Sequence, residues 1–296
     1  MTRRRPLQLL IFSLVIVFQM LTSCEKFSGD QTIPAYLKID SIGFTSDYPT
    51  WGSASHNITD AWVYVDGELI GAFPLPANFP VLKQGSHVVK ILPGIKKDGI
   101  AETRLAYPFY NPVQKTINLV PDEHTAFGTA TSSYSSEAKL LWEEDFEGTT
   151  ISLDTTARSS VNITKTPAGS PLTFEKQHSG IVVMDTSNAY FECATHKSFD
   201  IPYADVFLEM NFKTNNSVTV GVMVYTGLIR YQVPIMTLFD TGGKWKKIYI
   251  DLATSLNTYS GATLFQVMFY NSVDAGVSHA QILFDNIKLL TSKSGK

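Results

Sequence analysis

The sequence predicts an all-β protein built as two β-sandwiches in series. Short runs rich in β-branched and aromatic residues recur between Gly, Pro, Asn and Asp, while long helical periodicity is nearly absent. Aromatic residues reach 12%, dominated by Phe and Tyr, which suits strands better than helices. The 296 residues are about twice a usual domain length, and a polar, small-residue stretch from Thr129 to Ala138 divides them.

Composition bounds the function. With 44% hydrophobic and 17% charged residues the chain can bury a core and is not a disordered one. A formal charge of -3 leaves no basic excess, so nucleic acid is not an expected partner. Two cysteines cannot make a disulfide framework.

Arg3, Arg4 and Arg5 precede an apolar run from Leu7 to Leu21, which ends at Thr22, Ser23 and Cys24. That order marks an export signal rather than a structural helix. The run is also shorter than the roughly 20 apolar residues of a membrane span. Leu21-Thr22-Ser23-Cys24 resembles the lipobox of bacterial lipoproteins. The resemblance implies a signal peptide over 1–23, cleavage before Cys24, acylation of Cys24, and a lipidated tether over 24–34. The competing readings are an ordinary signal peptide with an incidental cysteine and an uncleaved anchor. One acyl chain gives marginal attachment, whereas two or three hold. The expected place is the outer membrane, with Glu25 and Asp30 a sparse version of the acidic stretch that directs Bacteroidota lipoproteins to the cell surface. The surface is therefore favoured over the periplasmic face. The other cysteine, Cys193, is expected as a buried structural thiol.

The first segment, 35–128, shows a hairpin: Ala61 to Val65, a turn at Asp66-Gly67, then Glu68 to Gly71. Asp-Gly suits a two-residue turn because both central positions need positive φ. A second strand, His87 to Leu92, is closed by Pro93-Gly94, and Val113 to Val120 alternates as a late strand. This pattern resembles PEGA-like and immunoglobulin-like β-domains, which implies binding or display rather than chemistry.

The second segment, 139–292, opens with Asp145-Phe146-Glu147-Gly148. It carries Trp245-Lys246-Lys247-Ile248-Tyr249-Ile250-Asp251-Leu252 and closes with Ile282-Leu283-Phe284-Asp285-Asn286-Ile287-Lys288-Leu289. Those cues resemble jelly-roll sandwiches of the galactose-binding-like and carbohydrate-binding-module type. Phe207 to Lys213 alternates, predicting one buried and one wet face. Val218 to Tyr225 and Ala262 to Tyr270 read as central strands, Asp251 to Leu256 as a single helical turn, and 293–296 as a tail.

Several side chains are candidates for function. Glu143, Asp145 and Glu147 fit E-x-D-x-E, which resembles the catalytic strand of jelly-roll glucanases and would make Glu143 the nucleophile and Glu147 the acid/base. A strand's period of two puts all three on one face. Against it, Glu144 stands where that family has an apolar residue, and the motif sits at the domain's first strand. No other catalytic motif is visible, and an enzyme is not expected. No cofactor is expected either, except a structural calcium tying the first strand to the last through Glu147 and Asp285, as in many jelly-roll binding modules. Trp142, Tyr225, Tyr231, Trp245 and Tyr259 could stack on sugar rings, with Trp245 expected in the core. Tyr107-Pro108-Phe109-Tyr110 reads as a stiff aromatic loop, either folded over its own core or exposed with Tyr107, Phe109 and Tyr110 as partner contacts. Asp40-Ser41-Ile42 and Asp154-Thr155-Thr156 match a short O-glycosylation signal at Ser41 and Thr155.

The chain as a whole resembles Bacteroidota outer-membrane lipoproteins of this two-sandwich layout. The expected function is a non-enzymatic, lipid-anchored accessory or scaffold subunit that docks other envelope proteins. The alternative is a surface glycan-binding lipoprotein of a polysaccharide-uptake system.

Overall fold

A computed structural model describes residues 33–293 apart from Tyr203 and Ser260. Cys24 and the expected leader lie outside the described residues.

The first half contains β1 (Ala35–Ile39), β2 (Ile42–Phe44), the helical turn α1 (Tyr48–Trp51), β3 (Asp60–Val65), β4 (Glu68–Pro74) and β5 (Ala77–Val81). It continues with β6 (Gly85–Lys96), β7 (Arg104–Ala106), β8 (Val113–Leu119), β9 (His124–Ala126) and β10 (Ala130–Ser132). One sheet runs β4-β3-β6, with β8 and β7 both pairing on β6. Facing it are β5-β1-β9 and the parallel pair β2-β10. Val63, Val65, Val89 and Ile91 from the first sheet meet Leu37, Ile39, Phe79 and Val81 from the other side. The turn between β3 and β4 has positive φ at Asp66 (52°) and Gly67 (84°), as an Asp-Gly hairpin requires.

Pro93-Gly94 does not close β6 as expected; the strand continues to Lys96. The Pro93 carbonyl still accepts from Tyr107 N at 2.9 Å, and Gly94 lets the chain pass close to Asp60, where a Cβ would come within 2.8 Å. The polar stretch 129–138 is not a free linker either. Ala130–Ser132 pairs with β2, and Tyr134 and Ala138 are buried.

The second half contains β11 (Ala138–Glu144), β12 (Leu153–Thr155), β13 (Thr164–Lys165), β14 (Gly180–Asp185), β15 (Tyr190–Thr195), β16 (Phe199–Asp200) and β17 (Val206–Thr214). β18 (Val218–Thr226), β19 (Ile229–Leu238), β20 (Lys246–Asp251), the turn α2 (Ala253–Leu256), β21 (Leu264–Ser272) and β22 (His279–Ser292) follow. One sheet is β13-β14-β22-β17-β20, with β11 on β22. The other is β12-β15-β21-β18-β19, with β16 on β21. Their inner faces share one apolar core, including Leu208, Met210, Phe212, Ile250 and Phe284 on one side and Phe191, Val220, Val222, Phe265 and Phe269 on the other. β22 changes neighbours along its length, pairing with β14 first and β11 later. The change falls at Asp285-Asn286, where the register against β17 shifts and Asn286 has φ 47°.

The outer side of β17, predicted to be wet, is covered by the first half. Glu209 and Asn211 are 0% and 2% exposed. Phe207, Tyr249 and Leu290 pack with Phe44, Ile95, Tyr107, Phe109, Tyr110 and Tyr134 into a core shared by both halves. The rings meet edge to face, Tyr107 with Phe207 at 5.2 Å and Tyr107 with Tyr249 at 5.0 Å, the arrangement their quadrupoles favour. Burying such a side chain is worth about 1.5–3 kcal/mol. Tyr107, Phe109 and Tyr110 are therefore spent on this seam, and the expectation that they contact an outside partner is corrected.

Charge lies beside the aromatic seam. Glu209 accepts from the hydroxyls of Tyr107 (2.9 Å) and Tyr134 (3.1 Å) and sits 3.3 Å from Lys247 Nζ. Lys288, 0% exposed, donates to the Ser53 carbonyl at 2.6 Å and to Tyr134 Oη at 3.1 Å. Burial and the neighbouring Lys247 pull the Lys288 ammonium below the usual lysine range, against the opposing pull of Glu209 and Glu143.

Candidate functional site

On β18, alternate residues Val218, Val220, Val222 and Val224 enter the core, so Thr219, Gly221, Met223 and Tyr225 face outward. The register extends that outer face across the sheet. Glu192 pairs with Tyr270, Tyr270 with Thr219, Gln266 with Met223, and Met223 with Gln232. Gly221 leaves room for its neighbours, since a Cβ there would lie 2.7 Å from the Val233 carbonyl and 3.4 Å from the Tyr270 ring.

A polar network occupies this face. Glu192, 2% exposed, accepts from Thr156 Oγ1 at 2.7 Å and Tyr190 Oη at 2.7 Å. Arg158 Nη1 lies 3.4 Å from the same carboxylate and donates to Gln232 Oε1 at 3.1 Å. Its guanidinium also stands over the Tyr190 ring, 5.6 Å from the centroid. Gln232 Nε2 reaches Glu192 at 3.4 Å from three strands away, a backbone gap of about 14 Å at the usual strand spacing. The two side chains therefore lean across the sheet, and Met268 is fully buried although it points away from the core. Desolvation, with Glu192 as acceptor, pushes the Tyr190 hydroxyl up to about 12. Tyr270 is raised as well, by burial and then by the Glu192 charge. At the far end, Tyr225 Oη donates to Gln266 Oε1. The result is three half-buried tyrosines interleaved with guanidinium, carboxylate and amide groups that hold one another in place.

Of the expected sugar-stacking residues, only Tyr225 lies on this face. Tyr231 pairs with Val224, so it points to the opposite side, where its ring meets Tyr259 at 5.6 Å. Trp142 is 6% exposed in the core, with Nε1 donating to Ser152 Oγ at 2.8 Å, which corrects its expected role as a contact. Trp245, expected in the core, is half-buried ahead of β20. Tyr190, Glu192, Tyr270, Arg158 and Gln232 were not anticipated. The alternation of Tyr190-Phe191-Glu192-Cys193 does place Tyr190 and Glu192 together, opposite Phe191 and Cys193.

The E-x-D-x-E alignment is not formed. β11 ends at Glu144 and Phe146 turns at φ 59°, breaking the period of two. Glu143 packs against Gly52 at the seam, while Glu147 accepts from Gln177 N at 3.0 Å and His178 N at 2.8 Å. The expected calcium ligands have protein partners: Asp285 accepts from Ser179 Oγ and Asn286 N, and Glu147 accepts from its two amides. Among the described residues there is no group of three or more His, Cys, Asp or Glu that could hold a metal. Ser41 is exposed between β1 and β2, whereas Thr155 is half-buried at the end of β12. No described helix is long and apolar enough to cross a membrane.

No protein-family profile matches the chain, and no curated protein matches it. Among solved structures, it is similar to carbohydrate-binding β-sandwich modules. One is a xylan-binding domain from CBM 22, at 12% identity and TM-score 0.36, covering 52% of this chain and 96% of that one. Another is CBM28, a module specific for non-crystalline cellulose, at 13% identity and TM-score 0.37, covering 50% and 92%. A third is the CBM22 tandem domain from Paenibacillus barcinonensis Xyn10C, at 16% identity and TM-score 0.40, covering 55% and 48%.

Proposed function

We propose that this protein is a non-catalytic glycan-binding protein that engages sugar on the outer face of the β15-β21-β18-β19 sheet. One observation carries the reading: Tyr190, Tyr225 and Tyr270 stand among Arg158, Gln232, Gln266 and Glu192 on one outward sheet face. Pyranoses offer apolar C–H faces to rings and paired hydroxyls to planar polar groups. A network already bonded in place loses little freedom on binding. The docking-scaffold reading drew on exposed aromatic-proline loops, and the burial of Tyr107, Phe109 and Tyr110 removes that support. The lipobox-like Leu21-Thr22-Ser23-Cys24 supports an outer-membrane, acyl-anchored setting, which intact-mass analysis of native material would test through diacylglyceryl modification of Cys24.

The test of binding is a glycan array followed by calorimetric titration. Tyr190→Ala and Tyr270→Ala should each weaken the best ligand by about tenfold or more, about 1.4 kcal/mol. Unchanged affinity in both variants, or no binding across the array, would overturn the reading.

A further inference from the structure

A cleft of about 720 Å³ runs along the seam between the halves, beside edge strand β20 and the end of β19. The first half supplies a wall with His56 and Asn57; the second supplies Phe174, Asn211, Trp245 and Lys247. Trp245 lies just ahead of β20, two residues before Lys247, and both line the cleft. The Trp245 ring meets Phe174 at 5.3 Å, giving the cleft an aromatic side. Asn57 pins the wall to the floor, its backbone N donating to Tyr249 Oη at 2.8 Å and its Nδ2 to the Lys247 carbonyl at 3.4 Å.

The floor is polar and incompletely bonded. Asn211 is 2% exposed, and its Oδ1 has no partner within the protein. The Lys247 side chain is 3% exposed, and its Nζ makes no hydrogen bond. A buried polar group without a hydrogen bond is unfavourable, so an occupant that bonds both is favoured. The two residues are direct cross-strand partners, so their side chains stand side by side. Asn211 Oδ1 needs a donor and Lys247 Nζ an acceptor, and a hydroxyl serves as either. Lys247 already has its countercharge in Glu209, 3.3 Å away, and the other charged residues lining the cleft balance, Lys96 and Lys246 against Asp98 and Asp240, so the cleft calls for a neutral ligand.

We propose that the seam is a second carbohydrate site, taking a neutral pyranose unit against Trp245 with its hydroxyls on Asn211 and Lys247. The first half is then part of the binding surface and not only a spacer. This site stands whether or not the tyrosine-bearing face binds sugar.

The test uses the intact protein carrying Tyr190→Ala and Tyr270→Ala, so that failure of the two sites is distinguishable. Cello-, xylo-, manno- and galacto-oligosaccharides are titrated while His56 ring resonances and binding heat are followed. One series should bind saturably and shift His56. Trp245→Ala and, separately, His56→Ala should each weaken that binding by about tenfold. His56 is exposed, so its variant keeps the test valid should Trp245→Ala fail to fold. No His56 shift with any series up to about 10 mM, a concentration far above a useful Kd, would overturn the proposal and leave water as the partner of Asn211 and Lys247. Binding unchanged by His56→Ala and by every folded Trp245 variant would overturn it too.

Discussion

Replacing Glu209 should destabilise the whole protein, because that carboxylate serves four groups at the seam. It is 0% exposed, accepts from the Tyr107 and Tyr134 hydroxyls, lies 3.3 Å from Lys247 Nζ, and offsets the buried charge of Lys288. Removing one partner of a buried ion pair costs about 3–5 kcal/mol. Each tyrosine hydroxyl that loses its acceptor adds about 1–3 kcal/mol. These contributions share atoms and are not additive, so about 5 kcal/mol is expected for Glu209→Ala. That is comparable to the whole stability of many domains, about 5–15 kcal/mol. Glu209→Gln keeps the shape and one acceptor oxygen but not the charge, and should cost about 3 kcal/mol by the buried-pair figure. Pairing it with Lys247→Met removes an uncompensated ammonium and should recover part of the loss. Urea unfolding followed by tryptophan fluorescence measures all three. If Glu209→Gln stays within about 1 kcal/mol of wild type, less than a broken buried pair costs, the seam charges are not coupled as described.

Asp285 gives a pH signature. Burial pushes its carboxyl up to about 7, against the hydrogen bonds from Ser179 and the Asn286 amide. The folded state therefore keeps a proton that the unfolded state releases near pH 4. Its contribution to stability is greatest at low pH and falls as pH rises from about 4 to about 7, by at most about 4 kcal/mol. Subtracting Asp285→Asn urea midpoints from wild type between pH 4 and 8 should isolate that slope; a flat difference contradicts it. Cys193 is fully buried and its thiol is raised by desolvation, so iodoacetamide at pH 8 should label it only as fast as the fold opens. Prompt labelling of native protein would contradict the burial. Gly180→Ala would put a Cβ 2.4 Å from the buried Phe146 ring and should cost about 1–3 kcal/mol in the same urea assay.

The parts of this fold that were legible in the sequence are those set by short-range chemistry. Asp66-Gly67 specifies its hairpin through two positive φ angles, and the apolar runs of β18 and β21 mark strands inside a sheet. The single turn at Ala253–Leu256 follows from its own short stretch. The seam was not legible. A charged residue in an alternating strand reads as facing water, and nothing near Glu209 says that a second sandwich covers it. Tyr107-Pro108-Phe109-Tyr110 likewise reads the same whether it closes its own core, another half or a partner. The tyrosine-bearing face lies between these cases. Tyr190 and Glu192 share a face by local alternation, but Arg158 and Gln232 reach them from 34 and 40 residues away in sequence, counted to Glu192.

The seam also bears on what the first half is for. A spacer joined through a flexible linker would leave the outer side of β17 and β22 polar and solvated. Here Lys288 takes the carbonyl of Ser53 and Glu209 takes the hydroxyls of Tyr107 and Tyr134, so first-half groups complete a charge pair that belongs to second-half strands. Lys97 adds an ion pair to Asp251 at 3.2 Å, and Asp98 Oδ1 accepts from the Asp251 amide at 2.9 Å. Interfaces between independently moving domains resemble transient contacts, more polar than an obligate core. One holding fully buried rings and fully buried charges is closer to a core cut in half. The two sandwiches should therefore melt together in a single transition, with surface patches on both held in fixed relation. Two separate calorimetric transitions in the wild-type chain would show instead that the halves are joined only by sequence.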